Sequence, residues 1–120
     1  MFKLKKIGLI GGMSFESTLE YYRIINETVK KTLGGLHSAE CILYSVDFNE
    51  ILQHQSNWDE LSNIMVNAAQ SLKKGGADFI VICTNTMHKL APDIESKVGI
   101  KVLHIAEATG KKVIEINIKT

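Results

Sequence analysis

The sequence predicts an α/β domain, a three-layer lobe in which a parallel four-stranded βαβ sheet is covered by helices on both faces. Three observations predict it. Residues 79–83 (Phe-Ile-Val-Ile-Cys) are uninterrupted hydrophobe, as suits a central parallel strand buried on both sides. Leu61, Ile64, Met65, Ala68, Ala69 and Leu72 recur at the i, i+3, i+4, i+7 spacing of an amphipathic helix. Strand-like and helix-like segments alternate through four units, which is the signature of parallel pairing through crossover connections.

In order along the chain, residues 6–10 form a short apolar run that ends in the Gly11-Gly12 pair, as a buried strand entering a tight turn would. Ser17 and Glu20 make a capping-box pair, and Leu19, Tyr22, Ile25 (or Ile24) and Val29 then follow at helical spacing. Gly34 and Gly35 close that helix, because glycine accepts the left-handed conformation of a C-cap. Residues 41–48 are rich in β-formers and read as the second strand, with residues 49–55 as a short helix or loop. Asp59 caps the next helix, which stops at Gly75-Gly76, and Trp58 packs at its start. Residues 90–97 give a shorter helix and residues 101–105 the fourth strand. The tail differs: residues 106–109 resemble a helix start, Gly110 interrupts it, and Ile114, Ile116 and Ile118 alternate with Glu115, Asn117 and Lys119 as in a strand with one buried face. The expected division is therefore a lobe over residues 1–109 and an atypical tail over 110–120.

Composition excludes several classes. At 120 residues the chain is about one domain, with 45% apolar and 22% charged residues, so a compact core is expected rather than disorder. Fourteen basic and thirteen acidic residues give a net charge of +1, with no basic patch for nucleic acid. The N-terminal apolar run is too short for a signal peptide or a membrane span, so a cytoplasmic protein without membrane contact is expected. Cys41 and Cys83 lack metal-site spacing and are read as reduced thiols, Cys41 as a small buried hydrophobe. His37, His54 and His104 are scattered, and no metal triad can be assembled.

Ligands of open parallel sheets bind beyond the carboxyl ends of the strands. Three loops qualify there: residues 11–14, residues 47–55, and residues 83–88 (Cys-Thr-Asn-Thr-Met-His). The first has neither a dinucleotide fingerprint nor a P-loop, so its glycines are read as letting backbone N–H groups approach a small anion at a helix N-terminus. The third concentrates a thiol, two hydroxyls, an amide and an imidazole within six residues. Such groups can hold a carboxylate without net charge and can present an acid or base to a substrate carbon.

Taken together, Lys6-Ile7-Gly8-Leu9-Ile10-Gly11-Gly12-Met13-Ser14, Glu16-Ser17-Thr18, Tyr21-Tyr22 and Cys83-Thr84-Asn85-Thr86-Met87-His88-Lys89 resemble the aspartate/glutamate racemase family. The resemblance runs to about Thr109, through His104-Ile105-Ala106. It implies one half of a two-lobed α/β fold in which substrate lies between lobes and each lobe supplies one acid/base group to opposite faces of the α-carbon. It also implies no cofactor and no metal. By motif position it implies Thr84, not Cys83, at the catalytic position, Asn85 and Thr86 as holders of the substrate carboxylate, Met13 and Ser14 as contributors from the first loop, and Gln53 as the residue closing the pocket; Cys83, the nearby thiol, is kept as a second catalytic candidate. Apart from these carry-overs, His88 and Asp47 are further candidates for orienting the loop.

Two departures from the family pattern stand out. The usual Cys-Asn-Thr motif aligns with Thr84-Asn85-Thr86, as in a subgroup that prefers L-acidic amino acids. Adjacent strand residues point to opposite faces, so Cys83 does not simply replace Thr84. The second departure is that residues 110–120 do not continue into a second lobe, so a truncated half-site is expected, acting on a small acidic amino acid or dicarboxylate and forming a homodimer. The competing readings are an inactive remnant that binds small carboxylates or self-associates, and a nucleotide-binding or phosphoacceptor domain of doubly wound type.

Overall fold

A computed structural model describes residues 4–104 and Ile118. The order is β1 (Ile7–Gly11), α1 (Phe15–Leu33), β2 (Cys41–Ser45), α2 (Phe48–Gln53), α3 (Trp58–Lys74), β3 (Phe79–Ile82), a 3₁₀ turn (Thr86–Leu90), α4 (Ala91–Val98) and β4 (Val102–Leu103). The strands form one parallel sheet in the order β2-β1-β3-β4, with Ile7 opposite both Cys41 and Phe79. The expected α/β class and parallel four-stranded sheet are thus observed. Strand order reverses between β1 and β3, which opens a crevice at their carboxyl ends.

Side-chain alternation along the strands builds two cores. Ile10, Ile80 and Ile82 point to α3 and α4, where they meet Leu61, Met65, Ala68, Ala69, Leu72 and Ile94. Ile7, Leu9, Phe79, Val81, Cys83 and Leu103 point to the other face, with Ile25 and Val29 of α1. Ile118 joins this second core at 1% exposure, and its carbonyl accepts from the Lys5 N–H at 2.8 Å. The rest of the expected tail strand and the expected helix start at 106–109 lie outside the described residues.

Several expected boundaries move, for physical reasons. The first helix starts at Phe15 with Ser14 as its N-cap residue, so Ser17 and Glu20 are not a capping box. Ser17 instead donates to the Cys83 carbonyl, and Glu20 pairs with Arg23, which also reaches Glu27 at 2.7 Å. Leu19 and Tyr22 are 62% and 50% exposed, because the buried stripe of α1 runs through Thr18, Ile25, Thr28 and Val29. The second strand ends at Ser45, and Phe48 opens α2, because Asp47 caps that helix through Oδ1, which accepts from the Asn49 N–H at 3.1 Å. Asn57, not Asp59, caps α3, with Oδ1 accepting from the Glu60 N–H at 3.1 Å. Asp59 lies in the first turn of that helix, beside its positive end.

Candidate active site

The loop after β1 is fixed from three sides. Gly12 has φ of +95°, and a Cβ there would come within 2.4 Å of the Val46 carbonyl oxygen, so only glycine fits. The Gly12 N–H donates to Thr18 Oγ1 at 2.9 Å, and the Thr18 hydroxyl donates to the Ser14 carbonyl at 3.2 Å. The Gly12 N–H is therefore engaged within the protein and is not left over for an anion. Met13 is buried in the core on the α3 side, and Ser14 is half-buried.

Strand parity decides the arrangement after β3. Phe79, Val81 and Cys83 face α1, whereas Ile80 and Ile82 face α3, and Thr84 follows the second set. Thr84 lines a cavity of about 330 Å³ with Met13, Thr86 and Met87, together with Phe48, Ile51 and Leu52 of α2, Gln55 just after it, and Trp58 and Leu61 of α3. Lys89 lies 3.8 Å from the Trp58 ring centroid. Cys83 is fully buried under α1, and burial, with the Cys41 thiol as a smaller influence, pushes its thiol up to about 12. Cys41 opens β2 as expected but is half-buried, and burial raises its thiol to about 11.

The loop itself is held at several points. The Cys83 N–H donates to the Ile10 carbonyl at 2.9 Å, and Ser17 Oγ donates to the Cys83 carbonyl at 2.9 Å. Asn85 is exposed, and its Oδ1 accepts from the Tyr21 hydroxyl at 3.4 Å. His88 folds back so that Nε2 lies 3.2 Å from the Ile82 carbonyl, while its ring stacks on His104 with centroids 4.2 Å apart. Burial first, and His104 second, lower the His88 pKa from its usual 6.5, against the backbone contact.

The structure thus brings Met13, Thr84 and Thr86 together around one cavity, whereas Ser14, the N-cap residue of α1, and Asn85, bonded to Tyr21, do not line it. Gln53, the last residue of α2, is exposed and does not line the cavity; Gln55, two residues further and past the end of the helix, does. The register of α2, set by its Asp47 cap, is the reason. Tyr21 and Phe48 were not singled out as site residues; the i, i+4 relation of Ser17 and Tyr21 was the available signal for the first. Among the described residues no three His, Cys, Asp or Glu side chains are grouped to hold a metal ion, and no helix is long and apolar enough to cross a membrane.

Comparison with known proteins gives a uniform answer. A family profile described as Asp/Glu/hydantoin racemase matches residues 10–119. The chain is similar to the broad specificity amino-acid racemase RacX of Bacillus subtilis, 26% identical over 110 residues that make up 89% of this chain and 48% of the relative. A crystal structure from Yersinia pestis, of a protein assigned as an Asp/Glu racemase, is 58% identical with a TM-score of 0.82, covering 91% of this chain and 48% of that one. An aspartate racemase homologue from Pyrococcus horikoshii is 33% identical with a TM-score of 0.79, covering 93% and 50%. The chain therefore spans about half the length of the relatives it matches.

Proposed function

From the premise that the chain belongs to the Asp/Glu/hydantoin racemase family, we propose that the cavity beyond β1 and β3 is one half-site of an amino-acid racemase acting on aspartate or glutamate. The reaction is proton transfer at the α-carbon, without a cofactor. The observation that carries this reading is the parity of β3, which sets Thr84 on the cavity side next to Met13 and Thr86. In this reading the α-carboxylate is held by Asn85, Thr86 and the first amides of α1, where the helix dipole favours an anion. Thr84 stands at one face of the α-carbon as the proton donor or acceptor.

Racemisation needs acid/base groups on both faces of that carbon, and each contributes typically about 10² to 10⁴-fold. Thr84 is one such group, and a hydroxyl is a weaker acid than a thiol. Cys83 does not supply the other, since it lies beneath α1 with a thiol held at about 12. The group for the opposite face belongs to residues outside this cavity. The isolated chain is accordingly expected to bind dicarboxylates and to turn over near background, which is also what the reading as a carboxylate-binding remnant expects.

The test is α-proton exchange of L-aspartate and L-glutamate in deuterium oxide, followed by proton NMR, together with thermal shift in aspartate, glutamate, succinate and nucleotides. Stabilisation by the dicarboxylates supports the half-site, and exchange above background supports turnover by the chain alone. Stabilisation only by nucleotides would replace this reading with the nucleotide-binding one. Self-association as a homodimer is part of the same proposal, supported by the exposed Leu19, Tyr22 and Leu43 around a 230 Å³ depression. Light scattering that reports a strict monomer at high concentration would remove it.

A further inference from the structure

Two side chains of α1, one turn apart, grip the chain on either side of Thr84. Ser17 Oγ donates to the carbonyl of Cys83, the residue before it, and the Tyr21 hydroxyl donates to Oδ1 of Asn85, the residue after it. Residues four apart on a helix lie on one face, so the pair acts as a single rigid edge. The far side of that edge is anchored, because the Tyr21 ring packs on the core formed by Leu9, Ile25, Val81 and Cys83.

We propose that Tyr21 is a positioning residue for Asn85: by holding Oδ1 it turns the Asn85 amide so that both Nδ2 hydrogens remain for an incoming carboxylate. An asparagine free to flip also samples the orientation that turns its oxygen toward an anion, and that orientation repels the anion. The Tyr21–Asn85 pair is solvent-exposed, where a hydrogen bond adds little to stability, so orientation is the property it changes most. Burial first, and the Cys83 thiol second, raise the Tyr21 phenol above its usual value, so it stays a proton donor throughout the neutral range. The inference rests on the reading of Asn85 as a carboxylate holder.

The experiment compares the parent chain, Tyr21→Phe, Asn85→Ala and the double variant by calorimetric titration with succinate. It also records the side-chain amide resonances of Asn85 in the parent and in Tyr21→Phe. Tyr21→Phe is expected to weaken succinate binding by about three- to tenfold, the scale of one lost hydrogen bond, and to have no further effect once Asn85 is alanine. The Asn85 amide resonances are expected to move in Tyr21→Phe. Equal weakening in both backgrounds, or Asn85 resonances that stay in place, would overturn the inference and leave Tyr21 as core packing. If the parent itself binds no succinate, the proposed function fails, while the Asn85 resonances still decide whether Tyr21 orients that side chain.

Discussion

Thr84 and its neighbour Cys83 are adjacent in sequence, yet Cys83 is buried in the core under α1 and Thr84 lines the cavity. Replacing Thr84 by alanine is expected to abolish any α-proton exchange that the chain supports, and Thr84→Cys to raise it by about tenfold or more, because a thiol ionises several units lower than a hydroxyl. Deuterium incorporation measured by NMR reads both. Exchange that survives Thr84→Ala would take that residue out of the mechanism. Replacing Asn85 and Thr86 together by alanine is expected to remove stabilisation by succinate in a thermal-shift assay; undiminished stabilisation would put the anion site elsewhere. His88 gives a pH dependence whose sign follows from its lowered pKa. The unfolded chain binds the His88 proton more readily, so its contribution is complete above about 6.5 and is lost as pH falls from there through the folded value. Tm should therefore fall on acidification below about 6.5, and His88→Gln should flatten that part of the profile. An unchanged slope would show that His88 is not the group responsible.

At the scale of the elements, the loop between β1 and α1 depends on Gly12. Gly12→Ala must move the Val46 backbone and adopt a positive φ, and is expected to cost more than about 2 kcal/mol in chemical denaturation. A loss below half of that would mean that the loop relaxes freely. The sequence made β1, β3 and α3 legible because their apolar patterns are long and unbroken: Leu61, Met65, Ala68, Ala69 and Leu72 line the core, with Ile64 at its margin. It made the three loops legible through their glycines and polar clusters. The start of α1 was not legible, since Ser17 and Glu20 carry a capping-box pattern and only the tertiary partner of Ser17, the Cys83 carbonyl, shows that this pattern is not used. Gln53 and Gln55 were not separable either, because the rotation of a six-residue helix is set by Asp47 and by the packing of Ile51, not by periodicity.

For the molecule as a whole, the sheet order β2-β1-β3-β4 brings the first and third loops side by side although more than half of the described chain separates them. Ile118 ties the far end of the chain to the same body, through its burial beside Ile7 and Phe79 and its bond to Lys5. Ile118→Ala is expected to cost about 2 to 4 kcal/mol as a cavity in a closed core. A change near zero in urea unfolding would mean that this contact is dispensable. The burial of Cys83 has a further use. Alkylating reagents react with thiolates that they can reach, so iodoacetamide should modify Cys41 first and spare Cys83 while α1 stays on the sheet. Cys83 is thereby a natural clock for the lifting of that helix: the rate at which it is labelled, in a Cys41→Ser background, measures how often the layer under α1 opens to water.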